Sequence, residues 1–587
     1  MSQSEWNTQP VTGEWNSAVN WSPAELPASK AVFNGSAQTV ITFAADSDAA
    51  VESIEFSESA AGYTFTFGPG KVPGLTISGQ GVSNTSRKQQ SFIVAATSSG
   101  HDNPQLVFTN NATAGTDDIY YCAGPISEQG YGGGVISFCD NARAGSARFK
   151  VWTGAEPPPQ YRKENIPSTV GGEVSFSNSS SADSANFTIY GSLGIDGDTF
   201  ANVVFHDTAT AGKATFTNVG GTVAGGDGGN TQFYGSSSAD RGVYNNWGAT
   251  HEKANGGDVA FDSTASGGDG HFYNHAAVVA GAYGGVTSFN NNPPYMDAAQ
   301  GASAGNGSYF NYGARQGEQG GGGHLEFSAK YGSPTGADAT IVNYGSAIEN
   351  KSSAGHTIFS INLPSKYFPT AGNAKIWNHP GSGEQGAAGY TEFSVYSSQN
   401  GSGSGSGSES FPTAGNATIF NLGGCTARAA GGYTVFSGQS SAGGATLIAY
   451  GGTNGGYGGR IAFYGESAGD SAKVCLFDDG ELDIGYHTAG VTIGNLEMTG
   501  GVIATELGSE VSGLTVTGEL SIKSSHVTFR LGKQKEGGFA FNKPYTLLIC
   551  SALSGLTPEL FQANSIDGVE PSFAIVGKEL QVTFTQQ

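Results

Sequence analysis

Charge and hydrophobicity are both in short supply in this chain. Only 13% of its 587 residues are charged and only 37% are hydrophobic, while glycine alone supplies 93, a balance that resists one conventional globular core. No apolar run is long enough for a transmembrane helix, so no membrane insertion is expected. The opening MSQSEWNTQP has neither the basic nor the apolar segment of a signal peptide, which leaves a cytosolic protein or a mature form. Cations are scarcest: 26 Lys and Arg stand against 49 Asp and Glu, a formal net charge of −23. That argues against nucleic acid or anionic membrane as a partner, because phosphate binding needs concentrated positive charge. The acidity serves solubility instead. Five cysteines (Cys122, Cys139, Cys425, Cys475 and Cys550) show no CxxC or metal-ligand spacing and are expected to be thiols, mostly buried.

What the chain has in abundance is self-similarity. PTAGNAKIWN (369–378) and PTAGNATIFN (412–421) are nearly the same, and ATAGKATFTN, ASAGNGSYFN, PTGADATIVN and SSAGGATLIA share their frame. A second unit, a Gly-rich turn followed by alternation onto Phe, lies between them: GGEVSF, GGDVAF, GGVTSF, GGYTVF. Phe205, Phe233, Phe261 and Phe289 are each 28 residues apart, as are Phe216, Tyr244 and Phe272. A fixed period of this size marks a solenoid. Each unit alternates apolar with small or polar residues over four to six positions, so the units are strands bounded by turns. The fold predicted is all-β: a single elongated parallel β-helix with two or three short strands per coil and caps at both ends. The one plausible helical turn is TPELFQAN (557–564).

Two residues past each apolar anchor stands Asn218, Asn246, Asn274, Asn311, Asn343, Asn378 or Asn421. Equal residues at equal positions stack, and an amide that both donates and accepts can hydrogen-bond from coil to coil; these seven are expected to form a structural ladder. The Ala-Gly before each strand lets the backbone corner tightly, with Gly at positive φ.

These units, together with WNTQPVTGEWNSAVNWSPAELPASKAVFNGS, VESIEFSESAAGYTFTF and LTISGQGVSN, resemble the autotransporter-associated β-strand repeat proteins. The resemblance covers nearly the whole chain. It implies a right-handed β-helix, a bacterial secreted or cell-surface location, and Trp6, Trp15 and Trp21 packed over the first coil. The resemblance does not extend to a signal sequence or a C-terminal translocator barrel, neither of which is visible.

The organisation expected is an N-terminal cap with the first strands (1–100), insertion-rich repeats (101–485), tighter coils (486–535) and a C-terminal cap (536–587). Loops at 292–301 and 400–411 interrupt the repeats. A search for chemistry returns little. GGDGGN (225–230) lacks the recurrence of calcium-binding repeats, DDGELD (478–483) reads as a solvated turn rather than a cation site, and His271 and His275 lie two pleats apart. No catalytic or metal-binding residue and no cofactor is predicted.

One pattern points to function. If anchor and ladder Asn face inward, the residue between them faces out: Tyr273, Phe310, Val342, Trp377, Phe420 and Ile448. Aromatic rings in a row suit the apolar faces of sugars, so Tyr273, Phe310, Trp377 and Phe420 are the candidate binding residues, with a glycan or a second copy of the chain as partner. Phe368 and Phe411 compete with this reading, because the insertions that carry them would, folded back, cover the stripe. The expected function is a nonenzymatic structural or adhesive surface protein. The alternative is a polysaccharide lyase or glycoside hydrolase acting along the β-helix face, which would need paired carboxylates or a Lys, Arg or Tyr base.

Overall fold

The computed structural model describes residues 3–68, 74–94, 104–124, 133–153, 171–192, 201–290, 300–329, 332–363, 366–397, 411–487, 490–508, 513–534 and 537–586. The predicted loops at 292–301 and 400–411 fall, but for their last residues, outside this set. No α-helix occurs among the described residues, and strand pairing is almost entirely parallel. The chain forms two compact units, Met1–Thr287 and Ser288–Gln587.

The first unit begins with a tryptophan plug. Gln3–Trp6 pairs antiparallel with Trp21–Ser22 and parallel with Lys30–Phe33. Trp6, Trp15 and Trp21 are buried, with Trp21 edge-to-face against Trp6, Trp15 and Phe33. The Trp21 indole N–H donates to Trp15 O at 2.9 Å and that of Trp6 to Gln38 O at 3.1 Å, so both of these buried donors are met.

Beyond the plug each coil has the same three parts. One stack of strands runs from Ile119–Ala123 through Arg148–Val151, Asn186–Ile189, Thr215–Asn218 and Val243–Asn246 to His271–Asn274, and its last three strands carry the anchor-x-Asn pattern. A second stack carries the Phe anchors, from Gln105–Phe108 through Val135–Phe138, Glu173–Phe176, Asn202–Phe205 and Asn230–Phe233 to Asp258–Phe261. At the corner between each second-stack strand and the first-stack strand that follows it, a one-residue parallel bridge links coil to coil, Thr210 to Ser238 and Ser238 to Ser266. There the Thr or Ser hydroxyl accepts the backbone N–H two residues on, Ser266 from Gly268 at 3.1 Å, and Gly268 turns the chain at φ 56. This explains the Ser/Thr-Ala-Gly spelling.

The interior is built from two piles of aromatic rings. Phe205, Phe233 and Phe261 stack at 4.6 and 4.7 Å, and Phe216, Tyr244 and Phe272 at 4.8 and 4.6 Å. The piles meet edge-to-face, Phe233 against Tyr244 at 75°. Coils of other lengths keep the same register, as Phe138 and Phe176 stack at 4.7 Å. On the outer turns of the same unit a second polar column runs through Asn110, Asp140, Asn178 and Asp207, all at positive φ. Each side chain from Asp140 onward accepts the backbone N–H of its predecessor, at 2.8 to 3.1 Å.

The second unit repeats the plan. Its first stack runs from Ser308–Asn311 through Thr340–Asn343, Lys375–Asn378, Thr418–Asn421 and Thr446–Ala449 to Lys473–Asp483. Its second runs from His324–Ala329 through His356–Leu363, Tyr390–Ser397 and Tyr433–Phe436 to Arg460–Phe463. Phe327, Phe359, Phe393, Phe436 and Phe463 pile at 4.5 to 4.9 Å, and Ile341, Ile376, Ile419 and Leu447 are buried with them. Pairing continues through Asn495–Leu507 to Val527–Lys533. A sheet that includes the antiparallel hairpin Pro571–Val576 and Glu579–Phe584 ends the chain, so the last coil does not present a bare parallel edge. The expected helical turn shrinks to a 3-10 turn, Pro558–Leu560, because Phe561–Ala563 is drawn into pairing with Val527–Lys533.

Candidate functional site

The seven ladder asparagines are all fully buried. In the first unit Asn218 Nδ2 donates to Asn246 Oδ1 and Asn246 Nδ2 to Asn274 Oδ1, both at 2.8 Å. In the second, Asn311 donates to Asn343, Asn343 to Asn378 and Asn378 to Asn421, at 2.8 to 2.9 Å. The other amide proton reaches a second-stack carbonyl, as from Asn343 to Tyr390 O at 3.0 Å. The remaining acceptor capacity is taken by Thr231, Thr287, Thr357, Thr391 and Thr434, whose hydroxyls donate to Asn218, Asn274, Asn343, Asn378 and Asn421 at 2.9 to 3.0 Å. The Thr in GGYTVF is therefore part of the ladder. The run ends at Asn421, whose Nδ2 is buried without a partner because the next rung is Ala449.

This inward column forces its neighbours outward, since side chains alternate along a strand. Tyr273 in the first unit is half-buried beside the polar rungs Asn245 and Thr217. In the second unit Phe310, Val342, Trp377, Phe420 and Ile448 occupy consecutive rungs, all half-buried. Trp377 and Phe420 lie nearly parallel, 5.1 Å apart and 11° inclined. Phe368 and Phe411 are half-buried, and among the described residues neither stacks on Trp377 or Phe420.

Sequence reasoning missed a second aromatic column beside the first. The residue after each ladder position also faces out: Tyr312, Tyr344, His379, Leu422, Tyr450 and Phe477 in the second unit. Tyr312 stacks on Tyr344 at 5.1 Å, Tyr344 on His379 at 4.9 Å and Tyr450 on Phe477 at 5.2 Å. In the first unit Trp152 stacks on Tyr190 at 3.8 Å and Trp247 on His275 at 4.1 Å in the same position. The signal was available in the strings FNY, VNY and WNH. The outer side of the first stack in the second unit is thus paved by two adjacent columns of rings and aliphatic side chains.

The carboxylate string at 478–483 is not the solvated turn expected. A bulge splits it: Asp478 and Asp479 are exposed, while Glu481 and Asp483 are drawn onto two arginines. Arg530 holds Glu481 in a two-pronged pair at 2.5 and 2.6 Å, Arg460 Nε lies 3.3 Å from Glu481 Oε1, and Arg460 also pairs with Asp483. Carboxylates so engaged are poorly placed for general acid or base work. Among the described residues no group of three His, Cys, Asp or Glu side chains is arranged to hold a metal ion. The five cysteines are free; Cys122, Cys475 and Cys550 are buried, Cys139 half-buried and Cys425 exposed.

Fold and face together define a parallel β-solenoid with an aromatic outer side. No family model matches the chain, and no curated protein does.

Proposed function

We propose that the chain is a nonenzymatic surface protein of the autotransporter-associated β-strand repeat type, adhering to glycans through the paved side of its second unit. The observation that carries this reading is the pair of adjacent columns in which Trp377 stacks on Phe420 and Tyr312 on Tyr344, half-exposed and in register. Rings held at the repeat of a parallel sheet, about 4.8 Å per rung, present a flat apolar strip with hydroxyl and indole N–H groups at its margins. Such a strip complements the C–H faces of successive sugar units and costs little ordering on binding, because the strands already hold it. An extracellular location follows from the resemblance and from this ligand class. Binding of the full chain to insoluble polysaccharides tests the proposal. The double variant Trp377→Ala, Phe420→Ala is expected to lose at least about tenfold in affinity with a nearly unchanged melting temperature. Undiminished binding, or a large loss of stability, would sink the idea. Sedimentation velocity on the same pair of proteins separates out self-association, which predicts a dimer that the double variant cannot form.

A further inference from the structure

A recess lies in the second unit on the outer side of the other strand stack. The turns that follow the ladder positions stack on one another through backbone hydrogen bonds, Ser346 N to Ala387 O at 2.8 Å, Gly381 N to Ala430 O at 2.9 Å and Gly424 N to Tyr457 O at 2.7 Å, and so build a wall. Between this wall and the strands are two adjoining cavities of about 560 and 480 Å³, which share Ala430, Tyr433 and Tyr457. We propose that the recess binds a neutral oligosaccharide, with Tyr433 and Tyr457 as ring platforms and Arg428, Glu349 and Gln385 as partners for its hydroxyls.

The charges decide the ligand class. Lys351 is paired with Glu392 at 3.5 Å and lies over the Tyr390 ring at 4.5 Å, and Arg460 and Arg530 are taken by Glu481 and Asp483. The lining groups whose ends carry no hydrogen bond or ion pair among the described residues are the Arg428 guanidinium, the Glu349 carboxylate, the Gln385 amide and the Tyr433 and Tyr457 hydroxyls. Arg428 stands against Glu349 and against Asp479, whose carboxylate accepts the Gly452 N–H at 2.6 Å and meets no cation among the described residues, so the unpaired charge of the recess is net negative, which disfavours a polyanion. Flat two-pronged groups of this kind match pairs of adjacent hydroxyls, and aromatic walls with a few convergent polar groups are the usual make-up of a small-molecule site. Burial pushes the Tyr433 phenol above its ordinary range, so it stays a neutral hydroxyl.

Gln385 and Arg428 sit at φ 64 and 59, where the corresponding residue of the next coil is Gly455 at φ 83. The corresponding turns of the first unit carry Lys253 at φ 60 and Gly281 at φ 75, so the conformation belongs to the repeat, and a long side chain in it is unfavourable. Glycine would relieve the backbone and remove only the side chain that faces the recess.

The test is calorimetric titration of the full chain with neutral gluco-, xylo-, manno- and chito-oligosaccharides, with an oligogalacturonide as anionic comparator. A neutral oligosaccharide is expected to bind and the oligogalacturonide is not. Arg428→Gly and Tyr457→Ala should each weaken binding by about tenfold or more, while Arg428→Gly melts at the same or a higher temperature. Absence of binding across the neutral panel, preference for the oligogalacturonide, or unchanged affinity of Arg428→Gly would overturn the proposal. The Trp377→Ala, Phe420→Ala chain keeps its calorimetric binding if the two sites are separate; loss of it there would overturn the assignment to the recess. A parent chain that holds insoluble polysaccharide but no soluble oligosaccharide overturns the recess alone and leaves the paved side standing.

Discussion

A buried asparagine is costly unless its polar ends are met, and here the meeting is arranged rung by rung. Asn343 donates to Asn378 and to Tyr390 O, and accepts from Asn311 and Thr357. Asn343→Ala removes these bonds and leaves partners on both sides half-satisfied, so it should cost on the order of 1–3 kcal/mol in a thermal or denaturant melt. Asn421 already carries an unmet donor; Asn421→Ala should therefore cost less than Asn343→Ala, and equal losses would mean the bonds contribute little. The asparagines were legible because they recur in one frame of the repeat. Their threonine partners were not, because Thr357 and Asn343 belong to different strands that only the closed coil brings together.

At the scale of the strand, alternation made the inward and outward faces readable, and the stripe from Phe310 to Ile448 with them. The neighbouring column escaped because Tyr312, Tyr344 and His379 follow the strand proper, where the sequence alone suggests a turn. Ladder positions also bring like residues together in the second stack, where His324 and His356 lie parallel with centroids 5.0 Å apart. Burial, and for His324 the adjacent His356, pushes their pKa values down to about 3 and about 4. Histidines in the unfolded chain titrate near 6.5. Between about pH 4 and 6.5 the unfolded chain therefore binds protons that the folded one does not, and stability falls as pH drops through that window. Melts from pH 7 to 4 should show the decline, and His356→Phe, which keeps a flat ring in the pile, should reduce it. An identical pH profile in the variant would show that the decline has another source.

For the molecule as a whole, repetition is both the reason the fold could be read and the limit on what could be read. A 28-residue period with strand-like alternation admits few solutions beyond a parallel solenoid. Paired charges from separate coils, such as Arg530 with Glu481, leave no mark in the period. Because each coil touches mainly its neighbours, damage should stay local. Phe233→Ala, which opens a gap in the pile between Phe205 and Phe261, should cost about 3–5 kcal/mol. Hydrogen exchange should show lost protection in Asn202–Phe205 and Asp258–Phe261, with Tyr433–Phe436 unaffected; uniform loss across both units would contradict nearest-neighbour behaviour. The unmet donor at Asn421 then acquires a different meaning, as the growing tip of a linear array. Every amide in the ladder points the same way along the chain, so the array has a donor end and that end is open. A copy of residues 219–246 spliced in after Asn421 would bring its own Thr and Asn, satisfy the open donor and present an identical one a coil further on. The defect would travel without multiplying, and the length of the solenoid is in this respect a free variable that duplication can change at no cumulative cost.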